Sequence, residues 1–276
     1  MRRLPERVAL GTMHGKEAAI APALAPLGIA LVVPGGLDTD RFGTFTGEIA
    51  RAGGMIEAAC AKARAAITAT GLGAGLASEG AYGPDPALPF VARGVEVMLW
   101  RDDATGHEVI ERLIDDAPCF DRAEVRDMAG AEAFLARIGF PATAVIVARA
   151  GVPGGPVAKG LRDPGRLRAA IAAAVPGPAL LETDMRAHMN PRRMGMIATL
   201  AQRLAARLGH ACGSCGAPGW GLIGTEAGLP CADCGAPTAL VAETIHGCTA
   251  CGARTRTPRP DGRRHADPAV CAFCNP

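Results

Sequence analysis

The chain has 276 residues, of which 49% are hydrophobic and 20% charged, and a formal net charge of +2. That length suits one sizeable domain with a small one, or two modest domains. The composition excludes a disordered chain, and the balanced charge excludes a general attraction to nucleic acid or anionic membrane.

Of the 29 basic residues only Lys16, Lys62 and Lys159 are lysine. The bias singles out three places for a compact ammonium rather than a planar guanidinium.

In chain order, a strand over Arg7–Gly11 runs into the crowded segment LGTMHGKE, Leu10–Glu17, and then a helix over Lys16–Leu27. Free helix-start amides, the Thr12 hydroxyl and the Lys16 ammonium make this an anion site by construction. It is not a Walker loop, whose closing G-K-[ST] is absent. The apolar run Ala18–Val33 is broken by Pro22, Pro26 and Gly28, and it falls short of the roughly 20 residues that span a bilayer. Its periodic Ile20, Leu24 and Leu27 mark a buried helix. The expectation is a cytoplasmic protein with no membrane partner.

Further strands are predicted over Ile29–Val33, Ala74–Ser78, Val95–Arg101, Thr143–Arg149 and Ala179–Glu182, and further helices over Met55–Thr70, Gly130–Ile138, Pro164–Val175 and Pro191–Leu208. Asn190 caps the last helix, Pro191 occupies its first position, and Met194, Ile197, Ala198, Ala201, Leu204 and Leu208 form its apolar stripe. Arg101–His107 reads as a hairpin turn, so one antiparallel pair interrupts the set. The alternation predicts an α/β fold over residues 1–208: a mixed, mostly parallel sheet with helices on both faces. The Gly/Pro-rich loops 33–46 and 150–159 are long enough to bind a ligand.

Residues 209–276 form a separate module. Eight of the ten cysteines lie there as four C-x-x-C pairs: Cys212/Cys215, Cys231/Cys234, Cys248/Cys251 and Cys271/Cys274. Two such knuckles complete a tetrahedral S4 shell, so two structural Zn²⁺ ions are expected, in a zinc-ribbon-like module. Sequential pairing is simplest, and interleaved pairing satisfies the same chemistry. Cys60 and Cys119 stand alone as inert thiols. Near-balanced charge favours a module that docks on protein. A nucleic acid would bind at the basic stretch Arg254–Arg264, with Trp220 and Phe273 to stack on.

Within the first domain, Glu57 and Lys62 share the helix segment EAACAKA. Ser78 and Glu79 stand at the end of a buried strand, before a glycine-rich turn, where ligands bind open α/β sheets. The order T-x-H-x-K, E-x4-K-A and S-E-G resembles the inosine triphosphate pyrophosphatase superfamily, including its phosphatases of aberrant purine nucleoside triphosphates. The likeness covers residues 7–83 and, loosely, 184–206. It implies that Thr12 and Lys16 grip phosphate, that Glu57 and Glu79 hold Mg²⁺, and that Lys62 touches phosphate. It also implies that the segment Asp184–Arg193, with Arg186 and His188, sits beside the base or sugar. His14 departs from the family's Asn-Pro, the acidic turn has one carboxylate rather than two, and the late His-Arg is spread out. With its zinc tail, the whole chain is similar to a bacterial family defined only as a domain of unknown function.

The expectation is therefore a magnesium-dependent phosphohydrolase of a nucleotide or another phosphorylated small molecule. Lys16, Glu79 and His188 are its catalytic set. Thr12, His14, Lys62, Ser78, Lys159, Asp184, Arg186 and Arg193 bind substrate. The rival is a non-enzymatic regulator that senses a phosphorylated metabolite and binds protein or nucleic acid through the zinc module.

Overall fold

The computed structural model describes residues 3–43, 53–152, 157–174 and 176–276. Parts of the two predicted binding loops, and the Val175 end of one predicted helix, lie outside them. In chain order the elements begin with β1 (Arg7–Leu10), α1 (Glu17–Leu24), β2 (Ala30–Val32) and α2 (Met55–Thr70). Then come β3 (Ala74–Pro84), β4 (Ala92–Asp102), β5 (Glu108–Asp115), β6 (Arg122–Val125), α3 (Met128–Ile138) and β7 (Val145–Arg149). The chain continues through β8 (Ala158–Leu161), α4 (Pro164–Ala172), β9 (Ala179–Thr183) and α5 (Pro191–Leu208), and closes with β10 (Gly221–Ala227), β11 (Val241–Gly247) and β12 (Arg254–Pro258). Among the described residues no helix is long and apolar enough to cross a membrane.

The class is mixed α/β, and the strands form three sheets, ordered β2-β1-β3-β4-β5, β6-β9-β7-β8 and β10-β11-β12. Among the described strands, β1 pairs in parallel with both its neighbours. The second sheet is antiparallel throughout. The strands that alternation placed in one sheet thus divide between two. Links 85–91 and 103–107 are too short for the crossover that a parallel pair needs, so β3, β4 and β5 fold back on one another.

The chain separates into two compact units. Pro5–Gly106 and Ile110–Ala205 form one; Ala206–Pro276 gather with His107–Val109 in the other. This division falls within α5, between Ala205 and Ala206. Residues 107–109 join the second unit through Thr249, whose hydroxyl donates to the Glu108 carbonyl at 2.6 Å and accepts from His107 Nε2 at 3.0 Å.

In the first unit α2 lies on β1, β3 and β4 through small side chains: Ala59 and Ala63 pack on Ala77, Val97 and Leu99, and Ala66 and Ile67 on Ala9. The second sheet has its own core, in which Phe134 and Ile138 of α3 and Leu167 and Ile171 of α4 cover Val145, Val147 and Leu181. α5 behaves as the sequence predicts. Asn190 Oδ1 accepts the Arg193 amide at 3.1 Å, and Ile197, Ala201, Leu204 and Leu208 are buried.

The alanine face lets α2 approach so closely that a Cβ on Gly11 would stand 2.5 Å from the Lys62 carbonyl oxygen and 2.8 Å from its carbon. Both are backbone atoms and cannot swing aside. Gly11→Ala is expected to cost about 1–3 kcal/mol, read as a lower urea midpoint with an unchanged slope.

Candidate functional site

β1 pairs with β3 as far as Leu10 opposite Leu76, and the Gly11 amide donates to the Leu76 carbonyl at 2.8 Å. β3 then runs on to Pro84, while among the described residues no strand continues β1 beside it. Ser78 and Glu79 are therefore mid-strand, not at the strand-end turn that the glycines predicted. The edge of β3 beyond β1 is met instead by Lys16. Its Nζ donates to the Ser78 carbonyl at 3.1 Å and to Ser78 Oγ at 3.0 Å. Both residues are buried, Lys16 at 6% exposure and Ser78 at 2%.

On the α2 side of β3, Lys62 Nζ lies 2.6 Å from Glu79 Oε2, with both residues buried. Glu79 Oε1 accepts the Gly80 amide at 3.1 Å. Burial alone would raise the Glu79 carboxyl, but the ammonium groups of Lys62 and Lys16 outweigh it and hold it below the ordinary carboxylate range. On the opposite side, Glu96 of β4 pairs in register with Gly80. A Cβ on Gly80 would stand 2.5 Å from Glu96 Oε1, so only glycine leaves room for that carboxylate. Glu96 Oε1 accepts Arg193 Nε at 2.6 Å and the Tyr82 hydroxyl at 3.0 Å. Arg193 also donates to the Met185 carbonyl and lies 5.5 Å over the Tyr82 ring.

Three buried cations, Lys16, Lys62 and Arg193, thus share a field with two buried carboxylates, Glu79 and Glu96. The imbalance falls on Lys16. Burial first, and then the Arg193 charge, lower its pKa to about 8 against the pull of Glu96 and Glu79.

Around this centre, the His14 and His188 rings stack at 5.0 Å and 14°. His14 Nε2 stands 3.3 Å from Asp40 Oδ1, and its backbone amide donates to the buried Thr12 Oγ1 at 3.3 Å. Burial is the main force holding both imidazoles below their ordinary pKa, so both are neutral at pH 7. Asp184 is fully buried and spent on structure. Arg186 grips it through Nε at 3.0 Å and Nη2 at 2.6 Å, and the Gly160 amide donates to it at 3.1 Å. Lys159, next to Gly160 on β8, is half-buried.

Glu57 is not brought to Glu79. It is exposed at the third position of α2, where Oε2 accepts the Gly54 amide and caps the helix. Both Glu79 oxygens are already engaged. The carboxylate pair expected to hold Mg²⁺ is therefore not assembled. Sequence reasoning missed Glu96, Tyr82 and Asp40. Glu96 carried a usable signal, a lone acid inside the apolar strand VEVMLW.

In the second unit the cysteines form two groups, Cys212/Cys215/Cys248/Cys251 and Cys231/Cys234/Cys271/Cys274, with all sulfurs of a group within 4.8 Å of one another. The pairing is interleaved, not sequential, and the antiparallel meander explains it. Successive connections emerge at alternate ends of the β10-β11-β12 sheet, so the first knuckle meets the third and the second meets the fourth. Sulfur separations of 3.7–3.8 Å are far beyond the roughly 2.05 Å of a disulfide and suit ligands of one metal ion. Backbone amides of Cys215 and Ser214 hold the Cys212 thiol down to about 6, and those of Cys274 and Phe273 hold Cys271 to about 7. Their group partners Cys251 and Cys274 are pushed up to about 12 by hydrogen bonds with the neighbouring thiols and by burial, so only some sulfurs of each group are readied as thiolates before a metal binds. Double substitutions distinguish the pairings. Cys212→Ala with Cys248→Ala is expected to keep one metal ion per chain by elemental analysis, and Cys212→Ala with Cys231→Ala none.

Comparison with curated proteins and with solved structures gave no match. Residues 60–276 match the family described as Domain of unknown function (DUF6671). The matched span includes Lys62, Ser78, Glu79, Glu96, Arg193 and all eight knuckle cysteines, while Thr12, His14, Lys16 and Glu57 precede it. With most of its length so matched, the chain belongs to the DUF6671 family.

Proposed function

We propose that the α/β unit binds the phosphate groups of a nucleotide and hydrolyses a phosphoanhydride bond, and that each four-cysteine group holds a structural zinc ion. The observation that carries the first part is the buried surplus of positive charge at Lys16. A desolvated ammonium without a full counter-charge is costly, and an anion entering beside it relieves that cost. In this reading phosphate oxygens accept from the Lys16 ammonium and the Thr12 hydroxyl, and Lys62 adds a second fixed cation close by. Glu79, kept ionised by the two lysines, holds the Lys62 ammonium in place. Charge that develops on the phosphate is met by ammonium groups already in place. Neutral His14 and His188, stacked as a flat wall, border the ligand.

The residues present do not fit a preformed magnesium cage. Glu57 caps its helix and Glu79 is saturated, so a divalent ion would enter on the substrate's own phosphates. The second part rests on distance. A tetrahedral shell with Zn–S bonds of about 2.3 Å puts its sulfurs about 3.8 Å apart, which agrees with the separations in both groups. A shell of four thiolates leaves no coordination site for water, so the role is structural.

The test is release of phosphate or pyrophosphate from a panel of nucleoside triphosphates, with Mg²⁺ present. Lys16→Met is expected to abolish turnover and nucleotide binding, and to leave the buried Ser78 carbonyl and hydroxyl without their donor, a cost of about 1–3 kcal/mol that offsets the relief of a charge that burial disfavours. Lys62→Met leaves Glu79 without its close partner and is expected to cost about 3–5 kcal/mol. Binding without release is the outcome for the sensor reading, and neither binding nor release sinks both.

The pH dependence has a definite sign. Ligand affinity is expected to fall as pH rises through about 8, where Lys16 of the free protein loses its proton. Stability without ligand runs the other way. Folding lowers this pKa from 10.5 to about 8, so the unfolded chain holds the proton more tightly and stability rises between those values.

A further inference from the structure

A cavity of about 490 Å³ opens in the second unit, within the roughly 300–1,000 Å³ of small-ligand sites. Leu229, Pro230, Ala242 and Pro258 give it an apolar floor, and Arg259, Arg263 and Arg264 stand around it. The arginines of this stretch are not equivalent. Arg256 is drawn to Glu226 at 2.7 Å and Glu243 at 3.8 Å, so its charge is compensated and the trio keeps one net negative charge, on the Glu243 side of the cavity wall. Arg259 donates through Nε and Nη2 to Asp261 at 2.6 and 2.7 Å, and through Nη1 to the Val241 carbonyl at 2.8 Å. Three of its five N–H donors are spent, and its flat guanidinium face is fixed in place before any ligand arrives. Arg263 and Arg264 are exposed, and neither guanidinium lies within ion-pair distance of a carboxylate among the described residues.

We infer that this cavity takes one nucleotide of a single-stranded nucleic acid, its base on the Arg259 plane and the proline floor, its flanking phosphates on Arg263 and Arg264. A pinned guanidinium plane serves an unpaired base as an aromatic ring would. Two adjacent exposed arginines, neither in a close ion pair, match successive phosphates, with counterion release as the driving force. A duplex keeps its bases stacked and cannot fill the floor. An acidic peptide matches the charge but makes no use of the fixed guanidinium face. The cavity wall is tied to the second cysteine group. The Ala266 amide donates to the Pro230 carbonyl at 2.8 Å, the Ala232 amide donates to Ala266 at 3.0 Å, and Cys231 follows Pro230 directly.

The experiment uses the full chain, with metal content confirmed for every variant, and anisotropy of a fluorescein-labelled eight-nucleotide oligouridylate across a salt series. Arg263→Gln with Arg264→Gln is expected to weaken binding at least tenfold and to flatten the log–log salt slope by about 1.4, two phosphate contacts at about 0.7 each. Arg259→Lys keeps the charge and loses the plane, so affinity falls several-fold with the slope unchanged. Lys16→Met binds as the parent does, which separates this site from the α/β unit. Undiminished binding by the double variant overturns the inference. So does equal affinity for a duplex or for uridine monophosphate alone, or binding of an oligoglutamate peptide where the oligonucleotide does not bind.

Discussion

β1 ends at Leu10 while β3 continues to Pro84, and closing the edge so created is the constraint on which the first unit depends. A buried strand edge cannot keep its carbonyls without partners. Lys16 meets this one with a compact head on a flexible stem, bonding the Ser78 carbonyl and hydroxyl together. A guanidinium, larger and flat, offers its donors in one fixed fork and does not suit two acceptors on a single residue. The same reasoning holds for Lys62, whose ammonium reaches Glu79 from a helix lying almost in contact with the sheet. Two of the three lysines in an arginine-rich chain are thereby accounted for. Lys159 has no comparable explanation.

Closing the edge in this way has an energetic consequence. An isolated buried pair such as Lys62–Glu79 roughly balances its desolvation against its attraction. The third cation removes that balance, and Arg193, pinned by Glu96, Met185 and its own helix cap, cannot move away. Folding therefore proceeds with one ammonium under-compensated, at the expense of stability that the alanine and leucine packing supplies. Arrangements of this kind gather where a protein uses charge on something other than itself. In the proposed function the Lys62–Glu79 bond positions and the Lys16 surplus attracts.

Much of this was legible in the chain. The bounds of α2 and α5 follow from their caps and apolar periods, and the turn before β5 from its Asp-Asp-Ala-Thr-Gly run. The position of Glu79 did not follow, because Gly80, Gly83 and Pro84 read as a turn. Gly80 is instead the space in which the Glu96 carboxylate lies, a requirement set by a neighbouring strand and invisible locally. Glu57 was open to two readings. Three residues after Gly54, it holds the position of a helix-capping acid, and local chemistry decided against the metal. β12 gave no apolar signal at all, since all five residues of RTRTP are exposed.

That last strand shows why the cysteine pairing had to come from topology. Interleaved partners lie 33–43 residues apart, roughly twice the separation sequential knuckles would have. Doubling a closed loop changes its entropy by only about 0.6 kcal/mol, too little to select one pairing over another when metal-coupled folding is worth about 10–16 kcal/mol. The meander selects instead. Three antiparallel strands send alternate connections to opposite ends, and a sequential pair would have to bring sulfurs together across the length of a strand. Each four-sulfur group clamps one end of a sheet whose outer strand buries almost nothing. With a metal in each group, coordination would add to the small core that Ala217, Trp220 and Ala253 form against Cys212 and Cys248, and would leave the arginine-bearing face free of packing duties.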